Sequence, residues 1–131
     1  MITLKSIKDY IREYVASPSW AISKRNSKAE ESITIYDAQG PTPIISVGGL
    51  KNTRTDVKAV SILVHWGHDP DKAELKAIEV FDFFFGMNHE TTINNHQIIT
   101  TELRKGKPIF VGTDDDGIYE YVIEVLIKYM K

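Results

Sequence analysis

His65, His68 and Asp69 stand together in the stretch HWGHD, and two imidazoles with a carboxylate are a set that can bind zinc. A zinc site needs ligands that converge in a tetrahedron with an oriented outer shell, and HWGHD has the spacing of no metal motif. Asp69 precedes Pro70 at the start of a helical pattern, so it reads as a helix cap and the histidines as surface residues. Asp114, Asp115 and Asp116 before Gly117 invite a calcium reading. Calcium loops of the EF-hand type place their acids at alternate positions and a Glu six beyond the Gly, whereas these acids are contiguous and the sixth residue on is Ile123. A tight Asp-Gly hairpin turn accounts for the run. Lys24, Arg25 and Lys28 flank Trp20, a combination that can hold single-stranded nucleic acid by stacking and phosphate contact; three basic residues fall short of a patch, and a Trp anchoring its own loop explains the group. Gly48-Gly49 lacks the Lys-Ser or Lys-Thr that completes a phosphate loop. With no serine elbow, HExxH or close carboxylate pair, the sequence predicts neither enzyme nor cofactor. A metal-dependent enzyme using His65 and His68 is a weaker alternative, and a nucleic-acid module using Trp20 and Lys24 to Lys28 a third and weaker one.

These residues hang on a strand-to-helix unit from Val57 to Gly86. Val60, Ile62, Val64 and Trp66 alternate with Ala59, Ser61, Leu63 and His65, the period of a half-buried strand. A helix follows, capped by Asp69, opened by Pro70 and closed by Gly86, for which a left-handed conformation is expected. Ala73, Ala77, Val80, Phe81 and Phe84 form its apolar stripe. Leu4, Ile7, Tyr10, Ile11, Tyr14 and Val15 predict an earlier helix from about Thr3 to Ala16, stopped by Ser17 and Pro18. Residues 18–31 read as a polar connection, Ser32 to Tyr36 as a strand, and Gly40 to Asp56 as a long Gly/Pro arm with a short strand at Ile44 to Val47. His96 to Leu103 is extended, Arg104 to Lys107 a turn, and Pro108 to Gly112 a short strand. Tyr119 to Met130 is the longest strand; its odd positions are expected to meet the helices and its even positions, Val122, Leu126 and Met130 among them, to be partly exposed.

At 131 residues the chain fits one domain, 1–131, able to bury a core without crosslinks. It has no cysteine, which removes disulfides and thiolate chemistry. The amphipathic, charged start is no signal peptide and no segment is long enough to span a bilayer, so a soluble, unprocessed chain with no membrane partner is expected. A net charge of -2 argues against a dedicated nucleic-acid partner. Up to Lys58 there are nine basic and six acidic residues, and beyond it seven and twelve, a polarity by which copies can meet through opposite faces.

In order, the chain offers a helix, a strand IYDAQG with a Gly/Pro connection, a strand running into GHDPDKA at the head of a helix, and the terminal PIFVGTDDDGIYEYVIEVLIKY. This arrangement resembles the small minor capsid and tail terminator, or tail-completion, proteins of long-tailed bacteriophages and prophages of Gram-positive bacteria. The likeness spans about Ile33 to Tyr129 and is strongest at His65 to Ala73 and Gly112 to Tyr129. It implies an α+β fold with a twisted, mostly antiparallel sheet and two helices on one face. It also implies a structural role: a ring, a hexamer, that caps the tail tube and mediates head-tail joining, with partners in the tail tube protein and a head-completion or connector protein. The virion is the implied location, and the host cytoplasm the site of assembly. A head-closure or neck adaptor protein is the alternative within the same assembly.

Two expectations about contacts follow. The arm from Gly40 to Asp56 is expected to be mobile in the free subunit and to order on assembly. Leu75 and Phe83 fall among the charged residues of the helical wheel, so they are expected to meet the apolar even face of the last strand, Val122, Leu126 and Met130, on a neighbouring copy.

Overall fold

The computed structural model describes residues 2–40, 54–87 and 91–131. Among them the chain forms an α+β fold of two helices and a curled, mixed sheet. The elements are α1 (Leu4–Ile11), β1 (Trp20–Ile22), β2 (Glu31–Asp37), β3 (Thr55–Trp66), α2 (Pro70–Phe85), β4 (Thr92–Ile93), β5 (His96–Leu103), β6 (Ile109–Thr113) and β7 (Tyr119–Met130). The sheet order is β1-β2-β3-β7-β5-β4, with β6 also on β7. β1 and β2 run parallel and the other pairs antiparallel.

β3 and β7 form the spine, in register from Thr55 opposite Met130 to His65 opposite Glu120. Val60 faces Val125 and Ile62 faces Ile123, all buried, while Ile33 and Ile35 of β2 continue that face against Val64 and Ile62. Ala73, Ala77, Val80 and Phe84 of α2 and Ile7 and Ile11 of α1 are buried with them. Asp69 accepts from the backbone N–H groups of Asp71 and Lys72, and Pro70 occupies the first helical position, where its missing N–H leaves no partner unmet. Gly86 differs from expectation: at φ −84° it is right-handed. The α2 end is held instead by Thr101, whose Oγ1 donates to the Phe84 carbonyl at 2.8 Å.

Three other boundaries differ from the sequence expectation. The first helix ends at Ile11, after which Glu13 and Tyr14 N–H groups bond three residues back to Tyr10 and Ile11. That tighter turn still carries Val15 into the core, 2% exposed. Trp20–Ile22, read as connection, is an edge strand on β2. Arg104 to Lys107 does not reverse the chain: β5 and β6 lie along the same flank of β7, and residues 104–108 bulge out opposite Ile123 and Glu124. Of the arm read from Gly40 to Asp56, Thr55 and Asp56 belong to β3, while 41–53, with the expected strand at Ile44 to Val47 and Gly48-Gly49, lie outside the described residues.

Candidate functional site

The end of β3 carries a buried polar cluster. Alternation points His65 away from the helices, yet its side chain is fully buried, correcting the expectation of a surface histidine. Two distant segments close over it. Following β1, the chain brings the Arg25 guanidinium 3.0 Å from His65 Nε2, and the turn before β7 brings Asp114 Oδ2 to 3.6 Å from the same nitrogen. On the other side Nδ1 lies 3.0 Å from Glu120 Oε2, the register partner across the β3–β7 ladder. A guanidinium only donates, so Nε2 accepts from Arg25 and Nδ1–H donates to Glu120. Asp114 also shapes the turn, its Oδ1 accepting from the N–H groups of Asp116 and Ile118 at 2.9 Å. The Ile118 N–H is the main reason its carboxyl is held below the usual carboxylate range, with the Asp116 N–H and the Arg25 guanidinium adding to it against partial desolvation. Gly117 completes the turn at φ +78°, a conformation suited to glycine.

This arrangement ties three segments distant in sequence together. Both imidazole nitrogens are engaged, one by a cation, which opposes a metal ion there. His68 is 57% exposed and lies 3.9 Å from Glu30. Among the described residues no three His, Asp or Glu side chains are grouped to hold a metal. The paired reading of His65 and His68 as ligands therefore fails on geometry: one faces into the cluster, the other into water.

The residues assigned to subunit contacts separate. Leu75 is exposed, at 58%. Phe83 is half-buried and packs between the helices, its ring 5.9 Å from Tyr10, 5.6 Å from Tyr14 and 5.1 Å from Phe84. It lies in an aromatic seam that joins α1 to α2, so its expected exposure is corrected. Val122, Leu126 and Met130 are half-buried on the sheet face away from the core. After β2 the chain comes close to Ala59, the register partner of Leu126: a Cβ added at Gly40 would lie 3.1 Å from the Ala59 Cβ. Arg104 fastens this approach by donating to the Gln39 carbonyl, and its other nitrogen lies 3.8 Å from Glu124.

The open apolar surface lies elsewhere, at the β6 edge. Phe110 and Val111 are 52% and 54% exposed, and a groove of about 460 Å³ runs between Phe110 and Ile78 of α2. Phe110 packs beside Tyr119 and Tyr121. Burial pushes the Tyr121 phenol up, and the Glu74 carboxylate at the groove wall adds to it. Sequence spacing held a signal for this surface: Leu75, Ile78 and Phe85 repeat at three and seven residues, a second stripe on α2.

Among the described residues no helix is long and apolar enough to cross a membrane. No curated protein matches the chain. A family model does: that of the bacteriophage tail terminator protein aligns with residues 14–131, from the turn after α1 through the whole sheet, and the chain belongs to that family of phage structural proteins.

Proposed function

We propose that the chain terminates the tail of a long-tailed bacteriophage or a Gram-positive prophage. In this reading copies close into a hexameric ring, seat on the end of the finished tail tube, and block further tube subunits. They also present a new surface to a head-completion or connector protein. The observation that carries it is the family match across 14–131. The physical logic is that of a heterologous stack. A tube grows because the top of each ring complements the bottom of the next, and a ring with a matching bottom and an unlike top ends the series. Residues 1–131 act as one tail-terminator-like domain, with a mostly antiparallel sheet bearing both helices on one face. The protein works without a catalytic centre or cofactor, assembles in the host cytoplasm and remains in the virion.

Polymerising purified tail tube protein with increasing amounts of the chain tests this. The expected result is tubes of arrested length with labelled chain at one end only. Tubes that lengthen unchecked, with label on tail-less heads instead, would replace termination with a head-closure or neck role.

A further inference from the structure

We infer that a second copy of this chain docks on the patch formed by Leu75, Ile78, Phe110 and Val111, using its own opposite sheet edge, β1, with Trp20, Ile22, Lys24 and Lys28. This deepens the ring-forming part of the function proposed above and rests on it. Three observations carry it. The patch joins two elements into one apolar surface: Ile78 and Phe110 line the same groove, Leu75 stands one turn before Ile78, and Val111 follows on β6. Apolar side chains gathered beside an unpaired strand edge make a docking surface rather than scattered exposure. Among the described residues β6 pairs only with β7, and its five residues, IFVGT, carry no charge to repel another strand.

Charge selects the occupant. Residues 69–85 hold five acidic and two basic side chains, and residues 1–28 hold six basic and two acidic. Of the former, Glu74 walls the groove on the α2 side, with Lys107 on the β6 side; of the latter, Lys24 and Lys28 are exposed just beyond β1, where Ile22 is 36% exposed and Trp20 half-buried. The apolar edge beside the acidic helix α2 and the basic edge with its aromatic anchor sit at opposite ends of the sheet, β6 and β1. One copy can therefore offer its β1 edge to a neighbour while its β6 edge receives the next, the head-to-tail geometry that closes a ring.

The absence of cysteine makes the test direct. The full chain carrying both Ile22→Cys and Ile78→Cys, treated with a short bismaleimide, is expected to give a ladder of covalent oligomers. Each single variant should stay at monomer mass. Products that stop at the dimer with Ile78→Cys alone would show that the patch meets itself, and a double variant that sediments as an oligomer without cross-linking would place the contact elsewhere; either overturns the inference. Charge reversal gives the second measurement. Lys24→Glu with Lys28→Glu, and Asp71→Lys with Glu74→Lys, should each lose the oligomer with an unchanged circular dichroism spectrum, and mixing the two should restore it. If both retain wild-type mass, the charge pairing is wrong. Tube arrest is scored on the same proteins: a chain that arrests tubes as a monomer refutes this interface and leaves termination standing. One that ladders as expected but never arrests tubes removes termination instead.

Discussion

Helix α2 carries two apolar stripes, and they differ in side-chain size as well as in direction. The inner stripe is Ala73, Ala77, Val80 and Phe84, all fully buried. Its two alanines let the helix axis approach the sheet closely, so the sheet's burial capacity is met with little side-chain volume. The outer one, Leu75, Ile78 and Phe85, is 58%, 37% and 76% exposed, while Phe81 stacks on Phe85 at its border. Large residues on the solvent side add nothing to the core, and it is on this stripe that the contact between copies proposed above draws. Adjacent phenylalanines separate the two roles. Phe84→Ala should cost about 3–5 kcal/mol of unfolding free energy, the usual consequence of emptying a buried aromatic site. Phe85→Ala should stay within about 0.5 kcal/mol, as exposed substitutions do. Urea unfolding followed by circular dichroism checks both; equal costs would mean that the outer stripe is core after all.

The next largest effect lies at the other end of the comparison, where polar groups are enclosed by the chain's own segments. Arg25→Ala leaves His65 Nε2, in a fully buried ring, without its donor, and should cost about 1–3 kcal/mol. The same cluster predicts an acid signature. The Asp114 carboxyl is depressed in the folded state, so its contribution is present above the ordinary carboxylate value of 3.8 and is lost as pH falls through the lower folded value. Comparing wild type with Asp114→Asn across that range should show a stability gap that closes only in acid; a gap that persists there would mean the charge is not its source.

What the sequence made legible follows from how local each signal is. The β3 and β7 alternations and the Asp69-Pro70 start depend on neighbours in the chain, and all three appear as read. β1 escaped because three residues, WAI, become a strand only by pairing with β2, a contact that no local period encodes. His65 was legible as a residue on the far face of the sheet but not as buried, since its cover comes from Arg25 and Asp114, far away in sequence. Phe83 was misplaced for a related reason: a wheel drawn for one helix has one inside, whereas α2 also leans on Tyr10 and Tyr14 of α1. The second apolar stripe was present in the spacing and was masked by the charged residues between its members.

Smaller still is the effect of the cap that seats both stripes. Asp69→Ala removes the acceptor for two free N–H groups at the first turn and should cost about 1 kcal/mol, read as a lower thermal midpoint. The loss should be shared by core and patch, because both ride on the same helix; a variant that loses self-association with an unchanged midpoint would show that the first turn contacts the neighbour directly.

The smallest expected change has the opposite sign and comes from the other end of α2. A glycine that closes a helix in the left-handed region resists substitution, but Gly86 sits at φ −84° and ψ −4°, where an L-residue is comfortable. A Cβ there would meet the Asp82 carbonyl oxygen at 3.4 Å, an ordinary contact. Alanine would narrow the unfolded ensemble without straining the folded one, so Gly86→Ala should raise stability by about 0.4–1 kcal/mol. Gly117→Ala is the control: at φ +78° the added Cβ is strained wherever it points, and the turn that positions Asp114 should lose about 1–2 kcal/mol. Opposite shifts in urea midpoint are the expected result. If Gly86→Ala destabilises as Gly117→Ala does, the α2 terminus is left-handed in solution, and Thr101 does not replace the glycine cap that the sequence suggested.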